Sequence, residues 1–245
     1  MNHIEFIGPP GAGKSAIHAK LKPNHTFFAG IDSDAINRLL SREKWYYRVI
    51  YSVTPNFLKK DIKDKLLEYR YRHFSFKDSV TEKSQLVKNM AILDKYVDRE
   101  AWRSIYLYKK AIEEYQIASA TKESQEIFLW DEGFAMAAVA AVWHCESNQF
   151  PIQEYYQSLP RPNILVYVDA PTERCLLRQE ERGWNALRHD WVKNEEAEHM
   201  NHREACETVI NEIQSDVILI KIENTEDLSH VVNETRAKLS EVIDI

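Results

Sequence analysis

Near its N-terminus the sequence runs from a short apolar segment, Ile4-Glu5-Phe6-Ile7, straight into Gly8-Pro9-Pro10-Gly11-Ala12-Gly13-Lys14-Ser15. This is the pattern G-x-x-x-x-G-K-[ST], with a strand before it and a helix starting at about Lys14. Small residues let successive backbone N–H groups converge on one point at the positive end of the following helix, which makes a cradle for phosphate oxygens. Gly8, Pro9, Pro10, Gly11, Ala12, Gly13, Lys14 and Ser15 are therefore the expected phosphate-binding residues. Lys14 can reach the β- and γ-phosphates of a nucleoside triphosphate, and Ser15 can ligate Mg²⁺. The chain has six glycines in 245 residues and three stand in this loop, so the pattern is not a by-product of glycine-rich composition.

The rest of the chain reads as apolar strands separated by helices. Thr26 to Ile31, Ile127 to Trp130, Ile164 to Val168 and Val217 to Ile222 are the further strands. Ser41 to Thr121 holds no strand pattern. Trp102, Ile105, Tyr108, Ile112 and Tyr115 recur there at helical spacing, which predicts long helices. The closing helix places Leu228, Val231, Val232, Leu239, Val242 and Ile243 on one face. Continuous apolar strands imply a parallel sheet covered on both sides.

In such sheets ligands gather beyond the carboxyl ends of the strands. Two strands end in acidic pairs there: Asp32-Ser33-Asp34, with Arg38 one helical turn on, and Asp131-Glu132. Phosphoryl transfer to a hydroxyl needs a carboxylate near the acceptor and an acid to hold the magnesium shell. Asp32 and Ser33 are equally good helix caps. Arg174, Arg178 and Arg182 recur at i, i+4 and i+8, a row of guanidinium groups on one helix face after the fourth strand.

The loop resembles the Walker A segment of the P-loop NTPases, and its wording is similar to nucleotide kinases and related small-molecule kinases. Cys175-Leu176-Leu177-Arg178-Gln179-Glu180-Glu181-Arg182-Gly183 is similar to the lid of deoxynucleoside kinases. The resemblance implies an α/β P-loop NTPase fold in three layers, with a five-stranded parallel sheet in the order 2-3-1-4-5. It implies one domain over 1–245, a helical acceptor-binding insertion at about 41–122 and a lid at about 171–189. By the same match Lys14, Arg178 and Arg182 act on the transferring phosphoryl group, and Ser15 with Asp131 holds Mg²⁺. Asp34 is the expected acceptor-side carboxylate, ahead of Asp32 and Glu132. Asp32, Arg38 and Glu132 are expected acceptor-binding residues, and Glu132 is the alternative to Asp131 in the metal role. The chain departs from deoxynucleoside kinases at Asp131-Glu132-Gly133, where they carry Glu-Arg-Ser, and at Asp32-Ser33-Asp34, where they carry Glu-Pro. The resemblance thus covers the ATP side and leaves nucleoside specificity open.

The activity implied is transfer of the ATP γ-phosphoryl group to a hydroxyl or phosphate of a small, nucleotide-like acceptor. A polynucleotide 5′-hydroxyl kinase and an ATPase or GTPase switch are the alternatives. The net charge of −6 argues against a globally basic nucleic-acid binder. Between Ser41 and Lys77, however, ten Lys+Arg stand against four Asp+Glu, a net +6 that leaves −12 for the remainder, and nine aromatics are interleaved. Such a segment suits an anionic, ring-bearing partner, or is the basic outer face of a helix pair. Three cysteines in no framework spacing suit a reducing cytoplasm. Met1-Asn2-His3 leads directly into the first strand, with no leader pattern, and no apolar run approaches the length of a membrane span. Self-association is left open. His199, His202 and Cys206 share a helix face that could bind a metal, but no second ligand cluster accompanies them and solvated glutamates surround them.

Overall fold

The computed structural model describes residues 3–21, 27–28, 83–98, 100–121, 126–145, 149–157, 159–183, 186–187 and 191–243. The strands are β1 (His3–Ile7), β2 (Phe27–Phe28), β3 (Ile127–Trp130), β4 (Ile164–Asp169) and β5 (Ile218–Glu223). The helices are α1 (Lys14–Leu21), α2 (Lys83–Tyr96), α3 (Ala101–Thr121), α4 (Phe134–Trp143), α5 (Ile152–Tyr156), α6 (Thr172–Glu181), α7 (Glu195–Ile213) and α8 (Leu228–Val242). The strands form one parallel sheet in the order β2-β3-β1-β4-β5, of which β2 contributes two residues at the edge. This is an α/β sheet covered by helices on both faces, as the alternation of apolar strands and helices implies.

The two-residue period of β1 builds both layers at once. Ile4 and Phe6 point into a core shared with α1 and α8, whereas Ile7 points into a second core shared with α3, α4 and α7. Phe6 and Leu129 are fully buried, and each such side chain stabilises the fold by roughly 1.5–3 kcal/mol. Pairing of Ile4 with both Leu129 and Ile164 sets β1 centrally, so the loop after it lies between the ends of β3 and β4. Helix α4 is apolar all round because it is buried all round, between the sheet, α3 and α7. Among the described residues no helix is long and apolar enough to cross a membrane. Cys145, Cys175 and Cys206 are buried and form no disulfide.

The helical spacing holds on α3: Tyr108 and Tyr115 are buried with Ala111 and Ala118, Ile105 and Ile112 pack against the core, and Trp102 stands 69% exposed. Two sequence expectations are corrected. The α8 stripe is Val231, Val232, Thr235 and Leu239, with Val242 largely outside it. Strand β5 is an edge strand, so Ile220 and Ile222 are buried while Ile218 is exposed. The face of α7 bearing His199, His202 and Cys206 is buried, while Glu196, Glu204 and Glu207 on the same helix are exposed. The first half of the expected insertion, with its basic and aromatic residues, lies outside the described residues, as do Pro23 and most of the second strand. The described part of the segment expected as an insertion carries α2 and α3.

Candidate active site

The loop between β1 and α1 is wound tightly: the Ala12 N–H donates to the Pro9 carbonyl at 3.2 Å, and the Ile17 N–H to the Gly13 carbonyl at 3.1 Å. Gly8, Gly11 and Gly13 all hold φ in the left-handed half of the map, at 151°, 83° and 103°. The requirement at Gly13 is also one of contact, because a Cβ there would sit 2.2 Å from Nδ2 of Asn224. The Lys14 ammonium donates to the carbonyls of Gly8 at 2.6 Å and Pro9 at 3.1 Å, folded over the loop. Burial lowers its pKa, opposed by the negative charges of neighbours that include Asp131 and Glu132. Ser15 stands exposed at the start of α1.

Asp131 leaves β3 beside this lysine. Its Oδ1 is shielded from solvent and has no hydrogen-bond partner among the described residues. A buried carboxylate oxygen without a donor is costly, so a cation or a water bound to one is its natural complement. The Asp131 oxygen and the exposed Ser15 hydroxyl are both oxygen donors of the kind magnesium takes. Glu132 points outward and pairs with Lys110 at 3.6 Å. Lys110 also lies 3.8 Å from Glu114, whose carboxylate accepts from Trp130 Nε1 at 2.8 Å and whose pKa is raised by burial.

The turn is held from below. Glu5, fully buried in β1, accepts from the Ala135 N–H at 2.6 Å and lies 3.0 Å from His3 Nε2. Gly133 caps α4 without a side-chain bond, so the strand supplies the acceptor that the cap residue lacks. A Cβ at Gly133 would meet the Glu5 carboxyl at 2.4 Å, so the close approach of Glu5 holds this position to glycine.

The arginine row on α6 divides its contacts. Arg174 bonds the carbonyl of Thr225, beyond β5. Arg178 donates to the loop carbonyls of Gly11 at 3.2 Å and Ala12 at 3.3 Å, and to Asn224 Oδ1 at 3.3 Å. Arg182, at the C-cap, lines the cavity over the loop. Arg203 on α7 ties the end of β4 to the start of α6 through Asp169, Ala170 and Thr172.

Helix α7 roofs the loop. His199 Nε2 lies 3.2 Å from the Pro10 carbonyl, so that nitrogen carries the proton. His202 Nδ1 lies 3.7 Å from the Cys206 thiol. Among the described residues no group of three or more His, Cys, Asp or Glu side chains could hold a metal ion, and this row serves packing. Burial, reinforced by Lys14, lowers the His202 pKa to about 3. The native state therefore keeps His202 neutral at pH values where the unfolded chain protonates it. Its contribution to stability is intact above the ordinary value of 6.5 and is lost progressively as pH falls from there toward 3. By pH 5 that loss is about 2 kcal/mol. Melting measured at pH 7 and pH 5 is expected to show a drop of several degrees for the native chain and a smaller one for His202→Gln. Equal drops would assign the acid sensitivity elsewhere.

A cavity of about 280 Å³ joins these parts. Gly13, Lys14 and Ser15 form its floor, and Arg182 and Gln179 one side. Arg103 and Lys110 of α3, with Glu132, stand on another, and Met136, Ala137, Ala140 and Trp143 of α4 give it an apolar wall. The structure thus brings Lys14, Ser15, Glu132 and Arg182 to one cavity, sets Asp131 beside its lysine, and puts Arg178 behind the loop. Asp32, Asp34, Arg38 and Arg188 lie outside the described residues. Sequence reasoning missed Asn224, Glu5, Arg103 and Lys110, and weighed His199 only as a metal ligand, not as a partner of the loop. Two of these had a signal: Asn224 follows a strand end directly, and Glu5 is a lone carboxylate inside an apolar strand.

No family model and no curated protein matches the chain. Among solved structures, it is similar to a deoxyadenosine kinase from M. mycoides with bound dATP, at 13% identity and a TM-score of 0.54, covering 97% of this chain and 99% of that one. The same enzyme with bound dCTP matches at 11% identity and a TM-score of 0.52, covering 98% and 99%. The likeness is one of fold.

Proposed function

We propose that the protein is a P-loop phosphotransferase that moves the γ-phosphoryl group of ATP to a hydroxyl or phosphate of a small, nucleotide-like acceptor. The observation that carries this reading is the glycine-shaped loop facing a cavity that also receives Arg182 from the lid side and Arg103 and Lys110 from the insertion side. A switch ATPase needs only the nucleotide half of such a cavity. The dATP and dCTP held by the kinases of similar fold support nucleotide use here. The absence of an Asn-Lys-x-Asp guanine signature favours ATP over GTP.

In this mechanism the loop N–H groups and Lys14 bind the β- and γ-phosphates, Lys14 exchanging its loop carbonyls for phosphate oxygens. Ser15 and Asp131 would hold Mg²⁺, which neutralises charge on those oxygens when bound. The acceptor oxygen attacks the γ-phosphorus, the bond to the β–γ bridging oxygen breaks, and ADP leaves. An acceptor hydroxyl gives its proton to a carboxylate, for which Asp34 is the first choice and Asp32 or Glu132 the alternatives. Arg38 orients that carboxylate or holds an anionic acceptor. Arg182 meets the charge that develops on the transferring group. Buried cysteines without a disulfide suit work in a reducing cytoplasm.

The test is a panel of nucleosides, nucleotides, sugars and oligonucleotides incubated with ATP and Mg²⁺, read by mass spectrometry for a phosphate gain. Gain on a small acceptor supports the reading. Gain confined to oligonucleotide 5′ ends would make the protein a polynucleotide kinase, and ATP hydrolysis with no acceptor gain would make it an ATPase. The two lid arginines should separate kinetically. Arg182→Ala is expected to lower kcat about 10- to 100-fold with little change in ATP affinity, since one charge-assisted contact is lost in the transition state. Arg178→Ala should lower ATP affinity as well, because it also loosens the loop. Steady-state kinetics beside nucleotide titration checks both, and unchanged kcat in Arg182→Ala would move the clamp to Arg174 or Arg188.

A further inference from the structure

Just past β5, Asn224 is 3% exposed and its backbone N–H donates to the Asp169 carbonyl at 2.7 Å, so its position is fixed from β4. Its side chain faces two partners that permit one orientation. The Ala12 carbonyl can only accept and takes Nδ2–H at 2.7 Å; the Arg178 guanidinium can only donate and meets Oδ1 at 3.3 Å. We propose that Asn224 is a positioning residue for nucleotide binding, aiming the Gly13 N–H at the phosphate and holding Arg178 against the loop. The inference rests on the nucleotide-binding reading above.

The physical link is the planar trans peptide between Ala12 and Gly13. Its C=O and N–H point in opposite directions, so a donor that fixes the Ala12 carbonyl on the far side turns the Gly13 N–H toward the cavity that Gly13 lines. Arg178 donates to the same carbonyl at 3.3 Å and to that of Gly11 at 3.2 Å, so amide and guanidinium act on one short stretch of backbone. The absent Cβ of Gly13 is what admits the amide, since any other residue would collide with Nδ2. An alanine at 224 keeps the backbone anchor and removes both side-chain bonds. An aspartate keeps size and the Arg178 contact, but sets a carboxylate oxygen against the Ala12 carbonyl and adds negative charge under the phosphates.

The experiment is ATP titration by calorimetry without acceptor, with melting of the ligand-free proteins, on the native chain, Asn224→Ala, Asn224→Asp, Arg178→Ala and Asn224→Ala/Arg178→Ala. Asn224→Ala is expected to weaken ATP binding about tenfold, the worth of one well-made buried hydrogen bond, and Asn224→Asp at least as much, with melting within a few degrees of the native chain. The double variant should lose less than the product of the two single losses, because both act on the Ala12 carbonyl. Native ATP affinity in both Asn224 variants overturns the positioning role while leaving the phosphotransferase reading in place. So does a large fall in ligand-free melting for both, which would make Asn224 a structural residue, and so does a strictly multiplicative double variant. A native chain that binds no ATP overturns the functional reading and this inference with it.

Discussion

Lys14→Ala is expected to lower phosphoryl transfer by roughly a hundredfold or more, because it removes the cation aimed at the developing charge on the transferring group. The surroundings make the loss larger than the removal of one contact. Asp131 and Glu132 both act on Lys14, so its loss leaves their charge less balanced where a triphosphate would bind. The fold should survive. The lysine's two partners are loop carbonyls, one of which, Pro9, also accepts from the Ala12 N–H, and the loop is further held by Arg178, Asn224 and His199. Melting close to native, ATP affinity reduced and turnover nearly abolished is the expected pattern. Turnover near the native rate would remove the ATP-site assignment altogether.

What could be read in the sequence was whatever a short segment dictates by itself. The loop is such a segment: its glycines, lysine and serine are adjacent, and the strand and helix around it are set by local periodicity. Strands β3, β4 and β5 were legible within a residue or so at each end, because an uninterrupted apolar run of that length has few other uses. Contacts distant in the chain were not legible. Asn224 reaches Ala12 across 212 positions and Glu5 reaches Ala135 across 130, and nothing near either residue names its partner. The arginine row shows the same limit. Spacing places Arg174, Arg178 and Arg182 along one helix, but where α6 lies against the loop decides that Arg178 braces backbone while Arg182 enters the cavity. On α3 the spacing of Tyr108 and Tyr115 was legible, but Ala111 and Ala118, which share their buried face, carry little apolar signal of their own.

Asp34→Asn keeps the side chain's shape and removes its basicity, so it is expected to cut kcat by about 10²- to 10⁴-fold and leave ATP binding nearly intact. The choice of Asp34 over Asp32 follows from their places after the second strand. Asp32 comes two residues after Gly30 and is readily spent as a helix cap or on the magnesium water shell, whereas Asp34 falls in the first helical turn with Arg38 one turn on. The rival on the other acidic pair is now weaker. Glu132 is tied to Lys110 at 3.6 Å, which holds its carboxylate toward α3. Asp131, with its Oδ1 lacking a donor among the described residues and Lys14 beside it, fits a cation better than an acceptor proton. Asp32→Asn, Asp34→Asn and Glu132→Gln should therefore be compared with ATP affinity measured apart from turnover. If Asp34→Asn turns over at the native rate while Asp32→Asn or Glu132→Gln is dead, the base stands at that residue. Arg38 would then sit one turn from no catalytic group, and its part in orienting a carboxylate would fall with Asp34.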